Sequence, residues 1–526
     1  MKRQNSNQKY VWKHKRLCAG IVAFAMATAA MGTLAGCGKK DAQTDGEALT
    51  LTWWTTLWPH ISQTATNFGE VPLYQELEKR LGVNLKFIHP AAGQEAESFN
   101  IMTASGDLPD LIEYDLTTYT GGPVKAIDDG IIIELDDYLD KAKNYSKILN
   151  DNPEWNRQVI TDSGKHYTFA YFRGDDSLMC WKGPQIRKDL LDKAGLGLPE
   201  TIEEWDTALR AFQSMGIQYP LSVTSREIYF SGAYGVGDSF YVDNGQVKYG
   251  PVEPGYKEYI QLLRTWYKDG LLDPDFFAQD TKTYDAKITS GQVGAYFGAV
   301  GGDMGKYLPV LKEKDPSIEL AGTKYPVLVK GDTPRFAQKD FAYAPITSVS
   351  ISAQCKHVPE AVQFLDYGYG EEGHMLYNFG IEGVSYTMEN GYPKYTELIT
   401  NNPDGLSMQH SMSRYMASAY GGPFIQDKRY FEQYMPNKEQ KEAVERWMQH
   451  DDGQRMPLVA SNDQEREALR GKWATISSLL KENVTKFITG QKSMDEWDGF
   501  VEQLRTAGIN QYLEVRQQQY ERYISR

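Results

Sequence analysis

Cysteine and histidine are scarce in this 526-residue chain, which has four of the first and eight of the second. No CxxC pair and no Cys/His cluster occurs, which excludes a structural zinc site of the usual spacing. His357-Val358-Pro359-Glu360 is no metal-binding helix either, because Pro359 sits inside it. A GxxxxGK[ST] phosphate loop, an HExxH helix and a GxSxG elbow are all missing, and with them the commonest local signatures of nucleotide, zinc-protease and serine-hydrolase chemistry. Gly368-Tyr369-Gly370-Glu371-Glu372-Gly373 matches GxGxxG, but it follows the helical stretch AVQFLDY instead of a strand, so it lacks the context of a pyrophosphate cradle. Positive charge is in deficit as well. With 56 Lys+Arg against 70 Asp+Glu, the net charge of -14 has the wrong sign for nucleic acid or an anionic membrane surface. No catalytic residue, metal or cofactor is expected.

Aromatic residues are plentiful: 34 Tyr, 20 Phe and 11 Trp make up 12% of the chain. Tyr and Trp combine a flat apolar face with a polar tip, which suits ligands that are both flat-faced and hydroxylated. The N-terminus decides the compartment. Lys2, Arg3, Lys9, Lys13, Lys15 and Arg16 precede an Ala-rich apolar run that ends Leu34-Ala35-Gly36-Cys37, the pattern of an export signal (1–36) with a lipobox. Cys37 is then the lipidated first residue of a mature chain with 50 basic and 70 acidic residues, net -20. Cys18 leaves with the leader, so Cys180 and Cys355 remain, either bridged or as two buried thiols.

Residues 37–47 are polar and read as a flexible tether. From residue 48 the hydrophobic period alternates between strand and helix: strand 48–54, helix 71–81 with Leu73, Leu77 and Leu81 on one face, strand 83–87, helix 95–104 and strand 110–114. This βαβαβ order begins a doubly wound parallel sheet, where ligands sit beyond the carboxyl ends of the strands. Ile186 to Leu196 reads as an amphipathic helix, and Thr201 with Glu204 forms a capping box. Gly291 to Gly302 reads as a short strand whose glycines permit close approach. Helices are expected again at 360–367 and 371–379. The last 90 residues are mostly helical, with Leu469, Trp473, Ile476, Leu480, Val484 and Phe487 as a core stripe, a capping box at Ser493 to Glu496, and Trp497, Val501 and Leu504 continuing the buried face.

The segments SGDLPDLI (105–112), IRKDLLDKAGLGLPETIEEW (186–205) and FLDYGYGEEG (364–373) resemble the extracellular solute-binding proteins, family 1. With GIEGVSY (380–386) and KFITGQKSMDEWDGFVEQL (486–504), the chain is similar to the large lipoprotein subgroup that serves aldouronate and oligosaccharide ABC transporters. The resemblance implies an α/β, two-lobed periplasmic-binding-protein-like fold of type 2, with doubly wound sheets joined by a hinge and a helical C-terminal region. It implies a first lobe at 48–168 with 343–380 and a second at 170–335 with 386–526. The hinges would lie near Thr168–Phe172, Leu328–Ala342 and Ile381–Tyr386. The implied partners are an oligosaccharide, uronate-containing in some relatives, and the permease subunits of an ABC importer. A monomer tethered to the outer face of the cell membrane is expected.

By the same resemblance Tyr114 and Tyr296 fall at stacking positions on opposite lobes. Trp54, Trp58, Trp181, Glu382 and Tyr386 are further ligand candidates, and Asp115 and Arg173 are the polar ones. Arg173 is attractive because a guanidinium grips a carboxylate with two hydrogen bonds. Some relatives carry a calcium loop after the TIEEW-type helix. Phe212-Gln213-Ser214-Met215-Gly216-Ile217 lacks the alternating oxygen ligands of such a loop. The rival readings are an exported lipoprotein glycosidase or lyase, needing a carboxylate pair about 5 to 10 Å apart, and a sensory or adhesive lipoprotein with an exposed apolar patch.

Overall fold

The computed structural model describes residues 49–223 and 230–526. The leader, Cys37 and the tether lie outside the described residues. Among those described, ten strands build the two large sheets: β1 (Leu49–Trp54), β2 (Val83–Ile88), β3 (Leu111–Glu113), β4 (Phe169–Arg173), β5 (Lys182–Arg187), β6 (Tyr219–Ser222), β7 (Val293–Ala299), β8 (Leu320–Gly322), β9 (Tyr343–Ile351) and β10 (Ile425–Gln426). The expected βαβαβ start is present. Helices Pro72–Leu81 and Glu95–Ser105 connect three parallel strands, with Leu51 opposite Leu85 and Trp53 opposite both Phe87 and Leu111.

The first sheet runs β10-β4-β9-β3-β1-β2, and it is mixed where a parallel sheet was expected, because β9 is antiparallel to both β3 and β4. The reason is the path of the chain. β4 runs parallel with β1 to β3 and leaves the sheet at their carboxyl ends; the chain then builds the second sheet and re-enters from that same side, so β9 must run backwards. β10 returns once more beside β4, in parallel. The second sheet, β8-β5-β7-β6, is mixed too, since β5 is antiparallel to β7 and β8 while β6 is parallel to β7.

Two separate cores follow the two sheets. One gathers Leu51, Trp53, Leu77, Phe169, Val349 and Phe424, and the other Trp205, Trp266, Tyr307, Trp447 and Phe500. Neighbouring residues of a strand face opposite ways, so Trp54 leaves the first core for a small cluster with Phe99 and Ile112 beneath helix Glu95–Ser105. The segment 168–172, expected as hinge, is largely β4. The chain also returns at Ala417 and Phe424 to the first core from the region assigned wholly to the second lobe. The C-terminal helix Ile509–Ser525 touches both sides. Its Tyr512 and Val515 lie in the second core, whereas Tyr523 donates to Glu154 (2.7 Å) and Arg522 pairs with Asp162 (2.8 Å).

Local signals hold in detail with a few departures. Both capping boxes form, at Thr201/Glu204 and Ser493/Glu496. Ile186 and Arg187 belong to β5, and the helix begins only at Lys188. Trp473 is 41% exposed, so it leaves the expected core stripe, while Ile476 and Phe487 are fully buried. The glycines of the GxGxxG run serve close packing: a Cβ at Gly368 would lie 2.0 Å from the Pro423 carbonyl oxygen, and one at Gly373 1.9 Å from that of Tyr367. Cys180 and Cys355 are free buried thiols.

Glu113, the last residue of β3, is 6% exposed, and burial pushes its carboxyl up to about 8 from an ordinary 4.5. Between those values the unfolded chain gives up the proton and the folded one keeps it. Stability from this site is therefore full below pH about 4.5 and drains away as pH rises through about 8. Glu113→Gln, which mimics the neutral acid, is expected to leave the melting temperature unchanged at pH 4 and to raise it by several degrees at pH 8.5. Differential scanning calorimetry at the two pH values checks this, and an equal shift at both would refute the assignment.

Candidate functional site

A cavity of about 590 Å³ lies where the carboxyl ends of the first sheet meet the second sheet. From the first sheet come Tyr171 and Arg173 at the end of β4, Ala344, Ile346 and Thr347 at the bulged start of β9, and Gln426 of β10. Trp58 and His60 follow β1, and Ser418 to Tyr420 precede β10. The far wall carries Ala299 to Gly302 after β7, Trp181 before β5, and the helix Lys428–Tyr434 with Tyr430, Phe431 and Tyr434. Gly301 permits the closest approach across this wall: a Cβ there would stand 2.4 Å from a ring carbon of Tyr434.

The lining is aromatic and electrically quiet. Among the described lining residues none is Asp or Glu. Arg173 is the one guanidinium, and its charge is already matched by Asp340 at 2.9 Å, with a second bond to the Phe341 carbonyl at 2.9 Å. The Trp181 indole donates to the same Asp340 at 3.0 Å, so both side chains are held by the strap that leads into β9. Burial, with the nearby His410, depresses the His60 imidazole to about 4, so it is neutral at physiological pH. Burial also holds the phenols of Tyr171, Tyr420, Tyr430 and Tyr434 above their ordinary range, and each stays a neutral hydrogen-bonding tip. Trp58 Nε1, His60 Nε2 and Thr347 Oγ1 are buried polar atoms with no hydrogen-bond partner. Each such orphan costs about 1–3 kcal/mol, a cost that hydroxyls of a ligand would relieve.

Of the nine expected ligand residues, the cavity brings together Trp58, Arg173 and Trp181. The other six lie elsewhere, and each has a local reason. Trp54 is 3% exposed and meets Phe99 edge-on, and Tyr114 stacks on Phe99 at 3.9 Å, so both seal the small cluster on the far face of the sheet. Asp115 caps the turn Leu116–Thr118 by accepting from Thr117 N (3.0 Å). Tyr296 is 1% exposed because β7 is a central strand covered on both faces, and its ring packs against Tyr307 at 5.6 Å. Glu382 is exposed on the turn before the hairpin Tyr386–Glu389/Tyr392–Tyr395, and Tyr386 is buried beside Phe379. Tyr114, half-buried on Phe99, and Tyr296, buried in the second core, therefore do not line this cavity together.

Sequence reasoning missed Tyr171, Thr347, Tyr420, Gln426 and Tyr430. One signal was available: Tyr430, Phe431 and Tyr434 in KRYFEQY share a helical face directly after a strand dipeptide. Among the described residues no group of three or more His, Cys, Asp and Glu side chains is placed to hold a metal ion.

A cleft between two mixed sheets, walled by strand ends, loops and one helix, is the setting of a ligand-capturing receptor of the binding-protein class. Residues 65–375 match the bacterial extracellular solute-binding proteins, and the chain belongs to that family. It is 26% identical over 557 aligned positions to the fructooligosaccharide ABC transporter substrate-binding protein FusA of Streptococcus pneumoniae, spanning 95% of this chain and 97% of the relative. To lipoprotein LipO of Bacillus subtilis it is 23% identical, over 84% of this chain and 87% of the relative. The alginate-binding protein AlgQ2 superposes with a TM-score of 0.70 over 92% of this chain and all of that one, at 23% identity, and so shares the fold.

Proposed function

We propose that this chain is the substrate-binding subunit of an ABC importer, anchored by a lipid on Cys37 outside the cell, and that it captures a neutral oligosaccharide in the aromatic cavity. One observation carries the reading. The cavity offers rings and neutral hydrogen-bonding tips while its single guanidinium is consumed by Asp340, so it has stacking faces and no free charge. A uronate carboxylate would find no unpaired cation there. The glycosidase reading lacks support because the usual mechanism places a pair of carboxyl groups across the scissile bond and none lines the described walls; the relatives, sugar-binding proteins by name, weigh against a lyase as well. The relation to FusA, a fructooligosaccharide-binding protein by name, supports an oligosaccharide as cargo.

The two cores support two lobes, with β4 and 417–426 counted in the first lobe and the chain crossing after Arg173 and through the strap Gln338–Ala342. Ligand that contacts both walls binds the closed arrangement better than the open one, and that difference in affinity drives closure. The monomer is the working unit. Calorimetric titration of the mature protein with kestose, maltotriose, xylotriose and trigalacturonate tests the reading. Saturable binding of a neutral trisaccharide with no change in its chromatographic profile is expected. Absence of any neutral ligand, or release of smaller sugars, would overturn it.

A further inference from the structure

A second and larger cavity, of about 1020 Å³, shares no lining residue with the first. It lies among Thr120 of the loop after β3, Ser239 and Phe240 at the entry to the hairpin Phe240–Asp243/Gln246–Tyr249, and three C-terminal helices. Its floor is a trio of rings. Trp473 stands 5.8 Å from Phe240 and 5.2 Å from Tyr512, and Phe240 lies 6.1 Å from Tyr512 at 25°. A Trp at the first turn of a long helix that is 41% exposed forgoes apolar burial, and it does so facing this hollow.

The charges differ from those of the first cavity. Arg466 and Arg470 are paired with Asp463 and Glu467 on their own helical segment. Arg516 has no carboxylate partner. It lies 5.5 Å over the Phe240 ring, gives one hydrogen bond to Gln519 Oε1 (2.8 Å), and keeps its Nε buried without a partner. Gln519 is itself fully buried and locked by bonds to Ser461 Oγ (2.9 Å) and Glu465 Oε2 (3.1 Å), so the guanidinium is aimed by a rigid support. Burial lowers the pKa of Arg516, and the Tyr512 phenol and the Glu465 carboxylate behind Gln519 offset that only in part. Lining charges total three cations against two anions, in a protein whose overall charge is strongly negative.

We propose that this cavity is a second saccharide site, selective for a carboxylated sugar unit whose ring stacks on Trp473 and whose carboxylate is held by Arg516. Rings for a pyranose face, hydroxyls of Thr120, Ser239 and Ser461 on the walls, and one aimed unpaired guanidinium are the complement of a uronate. Nothing in it depends on what fills the first cavity.

Trigalacturonate, its methyl ester and maltotriose serve as probes, titrated calorimetrically into the mature protein at low salt. Trigalacturonate is expected to bind at least tenfold more tightly than the methyl ester. Arg516→Gln and Trp473→Ala should each weaken it tenfold or more, with Arg516→Lys in between. Trp58→Ala, in the other cavity, should leave trigalacturonate unchanged. Circular dichroism confirms that each variant is folded; if Arg516→Gln is not, Arg516→Lys and Trp473→Ala carry the test. Failure of trigalacturonate to bind at millimolar concentration would overturn the proposal, as would equal affinity for acid and ester, or loss of binding in Trp58→Ala with the Arg516 variants unaffected. None of these results bears on neutral sugars in the first cavity.

Discussion

Replacing Trp58 with alanine is expected to weaken binding of the neutral oligosaccharide by about 30-fold, corresponding to about 2 kcal/mol for an aromatic anchor at the centre of a ligand site. Trp58 lines the cavity with its ring while its backbone carbonyl, which accepts from Ile61 N and Ser62 N, caps the short helix that follows. Alanine keeps that carbonyl, so the fold loses little. The neighbouring Trp54 supplies the contrast. It is buried against Phe99 and Tyr114 away from the cavity, and Trp54→Ala should cost about 3–5 kcal/mol of stability while affinity in the folded fraction stays constant. Calorimetric titration and urea unfolding of both variants separate the two roles. A large affinity loss from Trp54→Ala with none from Trp58→Ala would remove the cavity from consideration as the capture site.

An equally large effect on stability is expected at Lys287. Its ammonium lies 2.8 Å from both carboxylate oxygens of Asp273, a residue with no exposed surface, and 4.5 Å above the Tyr219 ring. The Asp273 carboxylate also accepts from Ser222 Oγ at 2.6 Å and from the backbone of Asp275 at 3.0 Å. Lys287→Met keeps the volume of the stem and leaves the buried carboxylate without its counter-charge, a change worth about 3–5 kcal/mol. The exposed pair Lys147–Asp151 makes the comparison, since removal of Lys147 should cost about 0.5 kcal/mol or less. Urea unfolding midpoints test both. Near-equal effects at the two sites would show that the Asp273 cluster is not a buried ion pair in solution.

Much of the fold was legible along the chain because it rests on short-range physics. The leucine spacing of 73, 77 and 81, the alternation of 48–54 and 83–87, and the capping residues at Thr201 and Ser493 each act within a few residues, and each formed as expected. The antiparallel entry of β9 was not legible, because it depends on where the chain returns from after more than 150 residues spent in the second sheet. Register within a residue also decided which aromatics line the cavity. Trp53 and Trp54 share one strand yet serve two different interiors, and Tyr296 was hidden by strands pairing on both of its sides.

By itself the amino-acid sequence determined the acidic charge, the export-signal pattern and the alternating elements of the first sheet, since composition and local periodicity carry these, while the resemblance of its motifs pointed to a family of solute receptors. Only the tertiary structure decided that Tyr171, Tyr420 and Tyr430, rather than Tyr114 and Tyr296, line the cavity between the sheets, and that Arg173 is spent on Asp340. A cavity is made by elements distant in sequence whose ends converge, and no local pattern records which side chains are left facing the gap.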